Sequence, residues 1–123
     1  MQQVDFEKIR QEFIQKFSKL AKEKELKALV LCRVENVQAL TRFRAPTGRF
    51  HYIRRYAAVL TQSGGLAMIC RSGDYDKIRA VMPWLSDVRQ HDNYLGSWVS
   101  VIKDALKDLG VNEGGIGVDH GVD

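Results

Sequence analysis

The sequence predicts an α/β domain in which a mixed β-sheet carries helices on both faces. Three observations lead there. Residues 6–20 and 95–109 place apolar side chains at helical spacing. Residues 26–33 form a short, nearly continuous apolar run, the pattern of a strand buried on both faces. Residues 55–61 and 66–70 are two further strand candidates, joined by Gln-Ser-Gly-Gly, which is turn chemistry for an antiparallel hairpin. Sheets covered on both faces belong to α/β architectures.

The elements follow in order. In the first helix Phe6, Ile9, Phe13, Phe17 and Leu20 step by three or four and share one face. Asp5 is placed to cap it, while Lys8, Glu12, Lys16, Lys19 and Lys22 fall on the solvated side. Three phenylalanines with charges of mixed sign fit a core-docking face better than a membrane-binding one. After the first strand, Glu-Asn-Val-Gln-Ala-Leu is long enough for a single helical turn. Pro46 and Gly48 then mark a loop with no sustained period. Beyond the hairpin, Asp74 is placed to cap a short helix through Met82, which Pro83 stops. Residues 87–91 suggest a short edge strand. The clearest helix carries Leu95, Trp98, Val99, Ile102, Leu106 and Leu109 in one stripe and ends at Gly110, the preferred residue for a left-handed cap. Lys107 suits its negative pole and Asp108 partly offsets it. Residues 115–119 form a last short strand.

Composition narrows the class. A chain of 123 residues fits one domain, and it can bury roughly two thirds of its unfolded surface without a disulfide or metal staple. Hydrophobic residues at 45% and charged residues at 28% argue against disorder. No apolar run reaches membrane-spanning length, and the first residues lack the order of a secretory signal, so the expected compartment is the cytoplasm and no membrane partner is expected. Cys32 and Cys70 sit in apolar runs without a CxxC partner and read as buried thiols.

A search for chemistry finds no complete constellation. His51, His91 and His120 have no close helical spacing to one another. Asp119 and His120, with Asp123 nearby, could lend ligands to a cation, but read better as solvated end residues. There is no P-loop, no dinucleotide fingerprint and no GxSxG, and Ser63 and Ser72 lie in turns, where serine serves the turn itself. No catalytic residue and no metal ligand is therefore assigned.

Charge is unevenly spread. The net charge is +4, and residues 36–72 contain no acidic side chain but hold Arg42, Arg44, Arg49, Arg54, Arg55 and Arg71, interleaved with Phe43, Phe50, His51 and Tyr52. Three readings are open. The loop is solvated and its arginines pair with acids elsewhere, or it grips an anionic substrate or acidic partner, or it binds nucleic acid, the least favoured of the three.

Several strings, in this order and spacing, resemble the N-terminal domain of the creatinase, prolidase and Xaa-Pro aminopeptidase metallopeptidases. Asn36-Val37-Gln38-Ala39-Leu40-Thr41-Arg42-Phe43 is similar to that family's N-[IV]-x-Y-L-T-G-F, with Asn36, Leu40, Thr41 and Phe43 among the matching positions. Ala39 stands where the family has Tyr, and Arg42 where it has Gly. Residues 54–71 resemble the family's hairpin, and Gly115-Ile116-Gly117-Val118-Asp119 resembles its closing strand.

The resemblance implies a ribonuclease-H-like α/β motif over residues 1–123, a mixed sheet flanked by helices on both faces. It implies a catalytic pita-bread domain downstream, where two Asp, one His and two Glu hold two divalent metal ions of the Mn, Co or Zn class that activate water. No position of this chain matches those ligands. The expected role is then a non-catalytic domain of a dinuclear-metal peptidase, Xaa-Pro aminopeptidase or dipeptidase-like, whose partners are its own catalytic domain, a second copy in a homodimer and the parent enzyme's peptide substrate. Arg42, Arg44, Arg49, His51, Arg54 and Arg55 are the candidates for the substrate channel or interface. Two alternatives stand beside this. One is a free-standing binding module that uses the 42–55 loop for an acidic partner or nucleic acid, and the other is a relative that never had the catalytic domain.

Overall fold

In a computed structural model, the structure describes residues 5–41, 56–91 and 95–119. Helix α1 (Phe6–Glu23) starts where Asp5 Oδ1 accepts the Lys8 N–H at 3.0 Å, the cap the sequence predicts. Its inward face differs from the predicted stripe. Phe13, Ile14 and Phe17 pack against the core and Ala21 is buried, whereas Phe6, Ile9 and Leu20 remain exposed. Steps of four carry the face from Phe13 through Phe17 to Ala21 and turn Leu20 away. Glu25, at φ 57°, takes the left-handed position after the helix that glycine usually fills.

Strand β1 (Leu26–Leu31) buries its last four residues. It stops short of the predicted end at Arg33 because the N–H groups of Cys32 and Arg33 turn to the Asp119 carboxylate. Helix α2 (Val34–Thr41) runs for eight residues rather than a single turn. Arg33 O accepts the N–H groups of both Asn36 and Val37, and burial of Val37 and Leu40 repays the further turn.

Strands β2 (Ala57–Thr61) and β3 (Leu66–Arg71) form the predicted antiparallel hairpin, with Gly64 at φ +100° in its turn. A short 3-10 turn, Ser72–Asp74, leads into α3 (Tyr75–Val81). Asp74 stands at the N-cap, but its side chain does not cap the helix as predicted. The carboxylate instead accepts the Tyr56 hydroxyl hydrogen bond and lies 3.6 Å from Arg71. The helix closes at Met82, directly before Pro83.

Strand β4 (Val88–His91) is the predicted edge strand. Arg89 bridges Asp87 and Asp108, so the acid that offset the helix pole is engaged by β4. Helix α4 (Leu95–Asp108) buries Ala105 completely and packs Trp98, Val101, Ile102, Leu106 and Leu109 inward. Val99, placed on the stripe by sequence, is exposed, and the side chain of Leu95 lies outside the described residues. Past the helix, Gly110 sits at φ +92° while Gly110 N–H and Val111 N–H donate to Lys107 O and Leu106 O, a Schellman closure. Strand β5 (Gly115–Val118) ends the sheet.

The sheet order is β4-β3-β2-β1-β5, and only β2 runs against the others. One face packs Leu29, Leu31, Ala58, Leu60, Met68 and Cys70 against side chains of α1, α2 and α3. The other packs Val30, Ala57, Val59, Ala67 and Ile69 against α4. The mixed sheet with helices on both faces is thus the predicted architecture. Cys70 is wholly buried, while Cys32 is only partly so, and neither forms a disulfide.

Candidate functional site

Asp119 follows directly on β5 and occupies the corner where β1 passes into α2. Its carboxylate accepts the Cys32 N–H at 2.6 Å, the Arg33 N–H at 2.9 Å and the Asn36 Nδ2–H at 2.8 Å. Carboxylates that accept backbone N–H groups make short, charge-assisted bonds. Asp119 is therefore a clasp between the first and last strands, not the solvated end residue the sequence suggests. Its oxygens are also spent on three donors, which leaves little for a cation. Among the described residues no three His, Cys, Asp or Glu side chains gather as a metal site. The described residues do not supply ligands for the metal pair, which the resemblance places in a downstream catalytic domain.

The arginine-rich stretch leaves from one anchored residue and returns at another. Thr41, the last residue of α2, is fully buried and donates its hydroxyl to Val37 O at 2.6 Å. Tyr56, directly before β2, is 6% exposed and donates to the Asp74 carboxylate. Burial first, and then that carboxylate, push the Tyr56 phenol well above its ordinary range. Helix α2 packs on β2, so the two anchors belong to one packed unit. Arg42, Phe43, Arg44, Arg49, His51, Arg54 and Arg55 lie outside the described residues.

The other motif positions are structural. Leu40 and Thr41 are buried in the helix face that meets the sheet, and Asn36 holds Asp119. Sequence reasoning had Asn36 and Asp119 in separate strings, and nothing in either string shows that they touch. His91 is buried at the end of β4, and His120 and Asp123 lie outside the described residues.

Fold and site together define a three-layer α/β domain, with the β1–α2 corner closed by its last strand. The family model for the creatinase/prolidase N-terminal domain matches residues 14–122, and the chain belongs to that family. Comparison with curated proteins gives no match. Among solved structures, it is similar to an Xaa-Pro aminopeptidase from Streptococcus pyogenes, with a TM-score of 0.69 at 15% identity, covering 95% of this chain and 78% of that one. The N-terminal domain of the cytoplasmic peptidase PepQ from Mycobacterium tuberculosis aligns with a TM-score of 0.65 at 13% identity, over 88% of this chain and 72% of that one. A dipeptidase from Pyrococcus horikoshii aligns at 0.64 and 17% identity over 90% of this chain, which spans only 29% of that enzyme. At these identities the likeness is one of fold. No helix among the described residues is long and apolar enough to cross a membrane.

Proposed function

We propose that this chain is the non-catalytic N-terminal domain of a dinuclear-metal peptidase acting on Xaa-Pro peptides or dipeptides in the cytoplasm, where it helps form a homodimer and walls the substrate channel. The observation that carries the reading is the family match across nearly the whole chain, to a domain that makes up a minor part of a dipeptidase. On this reading the metal pair, which supplies an activated water, belongs to the following catalytic domain, and this chain contributes surface and position. Thr41 and Tyr56, the described residues that flank positions 42–55, are both anchored in the α2–β2 unit. Guanidinium groups there suit a peptide carboxylate, which they can grip in a bidentate way.

The experiment is replacement of Arg44 and Arg49 by Ala in the full-length enzyme, with steady-state kinetics and light scattering. The expected result is a KM raised about tenfold with kcat nearly unchanged, or a dimer shifted toward monomer. Unchanged KM together with an unchanged oligomeric state would remove the loop from both roles.

A further inference from the structure

A cavity of about 380 Å³ opens where the β2–β3 turn meets the connection from α4 to β5. That size is on the scale of small-molecule sites. Lys27 and Glu113 both line it and bring opposite charges to one space, and among the described residues neither is joined in an ion pair.

The Lys27 side is built. Its aliphatic stem runs against Gly114, where an added Cβ would come within 2.5 Å of Lys27 Cγ, and Gly114 sits at φ +106°. The turn beside it is pinned as well, because Gln62 N–H donates to Lys27 O at 2.9 Å and Gln62 Nε2 donates to Leu26 O at 3.1 Å. Ser63, also in the lining, shares a 3.1 Å hydrogen bond with Thr61 Oγ1, which accepts the Gly65 N–H at 2.8 Å. With Thr61 donating to Ser63, the Ser63 hydroxyl has its own hydrogen to give into the cavity. On the Glu113 side, Gly110 and Val111 line the space at the carboxyl-terminal end of α4, the negative pole of that helix.

We propose that this cavity binds a small zwitterion, a free α-amino acid or a short unblocked peptide. Its carboxylate is held by Lys27 and Ser63, and its ammonium by Glu113 and the end of α4. The residues it uses differ from those of the proposed function, and the proposal does not rest on a catalytic domain.

The test is a heteronuclear NMR titration of the 123-residue chain with alanyl-glycine, N-acetyl-alanyl-glycine and alanyl-glycinamide. Saturable shifts at the amides of Gly64, Gly110 and Glu113 are expected with alanyl-glycine. Each blocked peptide, lacking one charge, should bind about tenfold more weakly. Lys27→Met and Glu113→Gln should each lose a similar factor, and because both side chains are exposed the rest of the spectrum should stay in place. Absence of saturable shifts, equal binding of the blocked peptides, or full binding by both variants would overturn the proposal.

Discussion

Asp119 brings three donors from the β1–α2 corner onto one carboxylate. Hydrogen bonds to charged groups contribute roughly 1.5–3 kcal/mol each when well buried, and less where solvent reaches them, as it does at this half-buried site. Asp119→Ala should destabilise the fold by about 2 kcal/mol and Asn36→Ala by about 1 kcal/mol in urea unfolding. The double variant should fall short of the sum by about 0.5 kcal/mol or more, because the two share one bond. Strict additivity would show that the Asn36 contact carries no energy. This partnership was not legible beforehand, since the residues lie 83 positions apart and periodicity reports only on near neighbours. Burial of Cys70, by contrast, was legible from its apolar run. Burial, and then the Asp74 charge, push its thiol up to about 12. A folded pKa raised this way gives stability that is fully present below the ordinary thiol range near pH 8.5 and is lost as pH rises toward 12. At pH 9 in native buffer, iodoacetamide should therefore label Cys70 only as fast as the chain unfolds. Labelling at the rate of a small-molecule thiol, followed by mass spectrometry, would contradict this.

At the scale of elements, the sequence speaks clearly where local chemistry decides. The Asp5 cap, the hairpin turn and the Gly110 closure are all governed by residues within a few positions of one another. It speaks poorly where a distant partner intervenes. Asp74 looks like a helix cap until Tyr56 claims its carboxylate, and α2 outgrows a single turn because Val37 and Leu40 find a core to enter. Strand β5 shows the same dependence. An ideal Cβ on Gly117 would stand 2.7 Å from both Leu26 Cδ1 and Leu29 Cδ2. Leu29 is buried and cannot swing away freely. Gly117→Ala should therefore cost about 1–3 kcal/mol, the usual range for overpacking, visible as a lower urea midpoint with an unchanged slope. Gly115→Ala meets Leu26 Cδ2 at 3.1 Å, with Glu25 O at an ordinary 3.8 Å, and should cost less.

For the whole molecule, apolar runs reveal which strands are buried but not who their neighbours are. The sheet order places β5 beside β1 and β4 beside β3, pairings made by crossovers that leave no mark on periodicity. The consequence is uneven stability. Strand β2 lies at the centre, with both neighbours antiparallel and all five residues buried. Strand β5 pairs only with β1, exposes Ile116 and Val118, and is tied down at its end by Asp119. Elements with few buried contacts open locally at lower free energy than the core. In native-state hydrogen exchange, the amides of β2 should exchange only through global unfolding, while those of β5 bonded to β1 should open at least about 2 kcal/mol below that limit. Asp119→Ala should lower protection in β5 and in β2 by a similar amount, because the clasp is already broken both in the state with β5 open and in the unfolded chain, so the gap between them should persist. Exchange of β5 at the global limit would mean that the sheet opens as one unit, and loss of protection in β2 with none in β5 on that substitution would mean that β5 opens without breaking the clasp.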